Sequence, residues 1–151
     1  MCGREVPAGR QSFCSAECVR SWKIQSNPGF LRDQVFRRDH GICAACGQDC
    51  DALQHVLEDL YADDPQEALD NAAILGIKLR VVAGRWWDRY HGRTKIASLW
   101  AADHILPVVE GGGLCGLDGV RTLCWACHRQ ATRDLRARLK ARRAAEPARP
   151  G

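Results

Sequence analysis

Hydrophobic and polar residues follow two different periods along this chain. In FLRDQVFRRDHG, Phe30, Leu31, Val35 and Phe36 fall on one side of a helical wheel, which predicts an amphipathic helix ended by Gly41. Asn27-Pro28-Gly29 separates it from a shorter helix over 19–25. DALQHVLEDL and QEALDNAAIL read as two further short helices, with Asp64 suited to the N-cap, Pro65 to the first helical position and Gly76 to the stop. IKLRVVAG fits a strand or a helix equally. Residues 95–105 read as a β-run ending on Asp103-His104, Pro107 and the glycines 111–113 reverse the chain, and VRTLC is a second short run. A helix starts beside Cys124, and RDLRARLKARR continues it with arginines on every side. The Pro/Ala-rich end, EPARPG, is expected to be disordered.

A length of 151 residues suits one domain with at most a small appendage. The net charge of +4 is only mildly basic, but its distribution is polar. Seven acidic side chains and no Lys or Arg lie between Asp51 and Asp70, whereas basic side chains dominate from Arg121 onward. One face is therefore expected to meet a polyanion. The N-terminus has no apolar h-region and no apolar run could span a bilayer, so no membrane association is expected. An intracellular location follows, in cytoplasm or nucleoid, or in a nucleus if the source is eukaryotic. Nine cysteines in such a compartment argue for metal binding over disulfides.

Cys43-Ala-Ala-Cys46 and Cys124-Trp-Ala-Cys127 form two C-x-x-C pairs, and four thiolates leave zinc no open position. This metal is expected to be structural. Cys2, Cys14 and Cys18 form a second candidate zinc site that lacks a fourth ligand. Cys50 or Cys115 could supply it, a cysteine three positions before Cys2 would complete the motif, or the three are packing residues. Asp103, His104 and His128 carry the chemistry. Phosphodiester hydrolysis needs an activated water and charge neutralisation at the phosphate. His104 suits a general base, while Asp103, on the opposite side of the strand, and His128, directly after a zinc ligand, suit a catalytic Mg²⁺ or Mn²⁺. Arg121, Arg129, Arg133, Arg136 and Lys140 are the candidate nucleic-acid contacts. Trp86, Trp87 and Tyr90 either stack on bases with Arg85, Arg89 and Arg93 beside them, or fill core. Arg32, Arg37 and Arg38 suit phosphate contacts or an ordinary solvated face.

DHILPVVEGGG, LDGVRTLC and the final CH resemble the HNH nuclease (ββα-metal) signature. FCSAEC, GFLRDQVFRRDHGICAAC and LWAADH extend the similarity to the C-terminal HNH domain of the zinc-finger, Ran-binding annealing helicases, whose members cleave structured DNA. The resemblance implies an α+β fold with a small zinc-stabilised, treble-clef-like ββα-metal core, additional helices and a basic C-terminal helix. It implies an incomplete knuckle and short helix over 1–28, an HNH domain over 29–142 with 51–98 inserted, and a tail over 143–151. It also implies His104 as base, Asp103 and His128 on the catalytic metal, and Cys43, Cys46, Cys124 and Cys127 on zinc. The chain departs from the family pattern at Gly119, where an Asn usually braces the loop carrying the base. The expected function is a DNA endonuclease, free-standing, homodimeric or part of a larger repair, restriction or phage protein. Two alternatives are a DNA-binding module without catalysis and a protein-interaction domain using the acidic segment 51–70.

Overall fold

The computed structural model describes residues 3–82 and 95–145. Two compact units divide the chain: residues 1–40 with 102–122, and residues 41–101 with 123–151. The expectations for Trp86, Trp87, Tyr90, Arg85, Arg89, Arg93 and Cys2 fall outside the described residues, as does the tail from 146.

In the first unit, α1 (Ala16–Ser26) and α2 (Pro28–Asp39) meet at Asn27 and pack on one another. Both starts are capped by side chains: Ser15 accepts the Cys18 N–H and Asn27 accepts the Phe30 N–H. Each cap satisfies an N–H that the helix cannot reach, and Pro28 has no N–H to leave unsatisfied. The helix α2 ends at His40, which itself adopts the left-handed conformation at φ 52° ahead of Gly41. Val35 is fully buried and Ile24 nearly so, as is Val120 from the later part of the chain. Residues 105–119 run through three short 3₁₀ turns at 108–110, 112–114 and 117–119.

In the second unit, Gly41–Cys50 forms a tight knuckle. It is closed by the Ile42–Asp49 bridge and by the Cys43 N–H on the Gln48 carbonyl. Asp49 then caps α3 (Cys50–Asp63) through the Ala52 N–H. Asp64 caps α4 (Pro65–Ile74) through the N–H groups of Gln66 and Glu67. Ala68 and Ala72, buried four residues apart on α4, leave room for α3 to pack closely. The strand β1 (Val81–Val82) pairs antiparallel with β2 (Lys95–Ile96). Glu58 of α3 is buried, and it accepts the Ile96 N–H at 3.0 Å and the Lys95 ammonium at 3.3 Å. A buried carboxylate needs such partners, and here they tie the small sheet to the helix.

The β-run expected over 95–105 is broken. Ala97 donates to the Arg80 carbonyl, Ser98 bonds Trp100, and only then does β3 (Trp100–His104) begin. β2 therefore serves one sheet, whereas β3 pairs with β4 (Val120–Cys124) in another. Ile105 N–H on the Gly119 carbonyl and Trp125 N–H on the Leu99 carbonyl close the two ends of this ladder, which requires antiparallel strands. β4 runs directly into α5 (Trp125–Ala145), a helix with no buried residue. The order β3, β4, α5 is a ββα unit, and both strands pass from one unit of the chain into the other.

Candidate metal centre and catalytic strand

The sulfurs of Cys43, Cys46, Cys124 and Cys127 all lie within 4.8 Å of one another. Tetrahedral zinc with Zn–S bonds of about 2.3 Å separates its sulfurs by about 3.8 Å. The Cys46–Cys124 distance is 3.8 Å. The residues present therefore fit a structural zinc ion.

The peptide backbone prepares this site. The knuckle turns on the Gly47 N–H to the Cys43 carbonyl at 2.8 Å, while Cys124 ends β4 and Cys127 sits in the first turn of α5. Burial works to raise the Cys43 thiol, yet backbone N–H groups of Cys124, Ala45 and Cys46 outweigh it and bring the thiol down to about 6. Cys127 is pushed up to about 12, chiefly by the neighbouring Cys124 sulfur, with burial and the other thiols adding to it. Four crowded thiols cannot all ionise without a cation among them, and a bound cation reverses that repulsion. Cys50 is a fifth thiol pushed up to about 12, by burial first and then by the charge of Cys124, Cys43 and Cys46. It keeps its proton and donates to the Gln48 carbonyl.

Asp103 and His104 close β3, both half-buried. Arg121 on β4 aims its Nε at Asp103 Oδ2, 3.2 Å away. This guanidinium, expected to touch nucleic acid, is thus paired within the protein. His128 lies in the first turn of α5, its ring edge-on to Trp125 at 5.5 Å between centroids. The Trp125 indole is held in turn by the Ser98 carbonyl. Of the remaining basic candidates, Arg129 donates to the Gly76 carbonyl and Arg133 to Gln130, while Arg136 and Lys140 are exposed. The glycine reversal has an internal role that its composition did not disclose. A Cβ on Gly112 would overlap the Leu106 carbonyl, so the close approach there is to the chain itself.

At the N-terminal end, Cys14 and Cys18 have their sulfurs 3.2 Å apart. They line a cavity of about 500 Å³ with Phe13, Trp22 and Arg4. Cys115 packs against Gly119. The α2 end carries an arrangement that the sequence did not signal. Arg38 and Asp39 bond each other, Arg38 donates to the carbonyls of Leu117 and Val120, and Asp39 accepts both the N–H and hydroxyl of buried Thr122. Neither phosphate nor solvent is the first partner of Arg38. Only the Arg-Asp pair before the knuckle is visible in sequence, and it does not reveal partners so distant.

No family model matches the chain. The mouse protein named DNA annealing helicase and endonuclease ZRANB3 is 36% identical over 120 residues, which is 80% of this chain and 11% of the relative. The human protein of the same name is 35% identical over 132 residues, 87% of this chain and 12% of the relative. The chain thus spans only 11–12% of the length of these relatives. The crystal structure of the human ZRANB3 HNH domain superposes with a TM-score of 0.53 at 30% identity, covering 79% of this chain and 98% of that domain. With the ββα unit, the four-sulfur cluster and this near-complete coverage of the solved domain, the chain belongs to the HNH-domain family, of the ZRANB3 type.

Proposed function

We propose that this chain is a metal-dependent HNH endonuclease acting on DNA. The observation that carries the reading is the ββα unit, matched to a solved HNH domain, with Asp103-His104 ending its first strand and Cys127-His128 opening its helix. His104 is the general base: a ring nitrogen takes a proton from the attacking water, a role suited to imidazole near neutral pH. Asp103 and His128 would supply an oxygen and a nitrogen ligand, a set that suits Mg²⁺ or Mn²⁺ with water completing the shell. Such a cation would neutralise charge on the scissile phosphate and the leaving oxygen. Arg121 holds the Asp103 carboxylate in place from the neighbouring strand. Arg136 and Lys140, with Arg133 and Arg129, present positive charge to the phosphate backbone. Cys14 and Cys18, together with Cys2, are proposed as ligands of a second zinc. An intracellular site of action, and service as a homodimer or as a module of a larger DNA-processing protein, complete the reading.

Incubation of supercoiled plasmid with the protein and Mg²⁺ or Mn²⁺ tests it. Nicked or linear product is expected, abolished by EDTA and by His104→Ala with zinc content and fold retained. Cleavage that persists in His104→Ala would overturn the assignment of the base. A second reading, a zinc-stabilised DNA-binding module, is favoured by Gly119, which offers no side chain to brace the loop. It predicts salt-sensitive DNA binding without any metal-dependent cleavage.

A further inference from the structure

The turn at 117–119 bears on His104 through a single backbone hydrogen bond: the Ile105 N–H, next in chain after His104, donates to the Gly119 carbonyl at 2.9 Å. Gly119 itself contributes no side chain with which to fix that carbonyl. The chain before and after it is nonetheless gripped. Arg38 places Nη1 2.8 Å from the Leu117 carbonyl and Nη2 2.7 Å from the Val120 carbonyl. A guanidinium is planar and carries several donors in a fixed fork, so one side chain can hold two carbonyls at a set separation.

The fork is itself held. Arg38 Nε and Nη2 donate to Asp39 Oδ1 and Oδ2 at 2.6 and 2.9 Å, a bidentate pair. Asp39 Oδ2 is anchored further by the hydroxyl of buried Thr122 at 2.9 Å and by its N–H at 3.2 Å. The Asp118 charge also acts favourably on Arg38. These contacts join the end of α2 to both sides of the turn and to β4, and they lie within one unit of the chain.

We propose that Arg38 is a positioning residue for His104: by holding the Leu117 and Val120 carbonyls it sets the Gly119 carbonyl that receives the Ile105 N–H. The proposal rests on His104 being the base of the nuclease reading. It also separates Arg38 from a phosphate contact, because a phosphate contact acts on substrate binding and a brace acts on the chemical step.

The experiment compares the full chain with Arg38→Lys, Arg38→Ala and, as a control for charge one residue away, Arg37→Ala. Lysine keeps the positive charge beside Asp39 and Asp118 but has no planar fork to span both carbonyls, so Arg38→Lys is expected to keep the fold and carries the test should Arg38→Ala not fold. Amide exchange at Ile105, read by NMR, is expected to quicken about tenfold or more in Arg38→Lys. Plasmid cleavage is expected to lose about tenfold in kcat with KM within about twofold, since a small misplacement of a catalytic group has effects of that order. Arg37→Ala is expected to leave Ile105 exchange unchanged. Unaltered Ile105 exchange in Arg38→Lys overturns the proposal, as does faster exchange with kcat intact, or a raised KM with kcat intact. If the wild-type chain cuts no DNA, the nuclease reading fails and the positioning of a base fails with it. Ile105 exchange then shows separately whether the Arg38 contact to the turn is real.

Discussion

The Sγ of Cys124 accepts the backbone N–H of Cys127 at 3.5 Å, so the last residue of β4 acts as the N-terminal cap of α5. A side chain three residues back commonly satisfies this orphan donor. Here the capping atom is also one of the four sulfurs positioned to bind zinc.

Zinc removal should therefore undo more than the knuckle. Cys46→Ala is expected to abolish zinc binding at the four-cysteine site and to cost about 4 kcal/mol or more of stability, the range associated with losing a structural metal. Elemental analysis and denaturant unfolding check this. One zinc equivalent in the wild-type chain indicates the four-cysteine site alone, and two would assign the second to Cys2, Cys14 and Cys18.

Glu58 accepts the Ile96 N–H in a buried contact. Glu58→Ala is expected to destabilise the chain by about 1–3 kcal/mol in urea unfolding, the cost of leaving a buried donor unsatisfied. Glu58→Gln keeps an oxygen there and should lose less.

Position 119 tolerates no side chain beside Cys115. A Cβ there would lie 2.8 Å from the Cys115 sulfur and overlap its Cβ. Gly119→Ala should cost about 1–3 kcal/mol by overpacking. Adding Cys115→Gly to it should recover part of that loss, and a melting comparison of the two variants decides the matter.

Asp39 is held below its ordinary value of 3.8, chiefly by the hydrogen bond from Arg38, with Thr122 contributing and burial opposing. Its folded form binds a proton less readily than its unfolded form. The stability it contributes is thus fully present above pH 3.8 and is lost as acid protonates it below that value. Asp39→Asn should flatten that part of the acid-unfolding curve.

Salt should reveal the basic helix. Replacing Arg136, Lys140 and Arg133 together by Ala is expected to reduce the slope of log affinity against log salt by about 3 if each meets a phosphate. An unchanged slope in a DNA-binding titration would remove α5 from the interface.

Local pattern made much of this legible. The apolar face of α2, the Asp64-Pro65 helix start and the paired C-x-x-C motifs each declare themselves within a few residues, and the HNH resemblance drew on the same short stretches. Partners distant in the chain did not. The run over 95–105 has a strand's composition throughout, but nothing in it states that 95–96 and 100–104 join different neighbours. Arg38 looked like any surface arginine because its acceptors are main-chain carbonyls 79 and 82 positions away. Backbone oxygens carry no residue-specific signal, and Glu58 was missed for the same reason, its acceptor role lying 38 positions away at an amide.

The sulfurs of Cys46 and Cys124 are supplied 78 positions apart. A chain emerging from the ribosome presents the knuckle long before β4 and α5 exist, with two thiols where zinc requires four. Tight capture of the ion must wait for Cys127, and until then the knuckle is a weak, exchangeable chelate. Once closed around zinc, the four-cysteine site would act as a cross-link across most of the domain. Such a link would restrict the unfolded chain as well as fasten the folded one, and unfolding would have to break ligand bonds or set free a long covalent loop still tied at its neck.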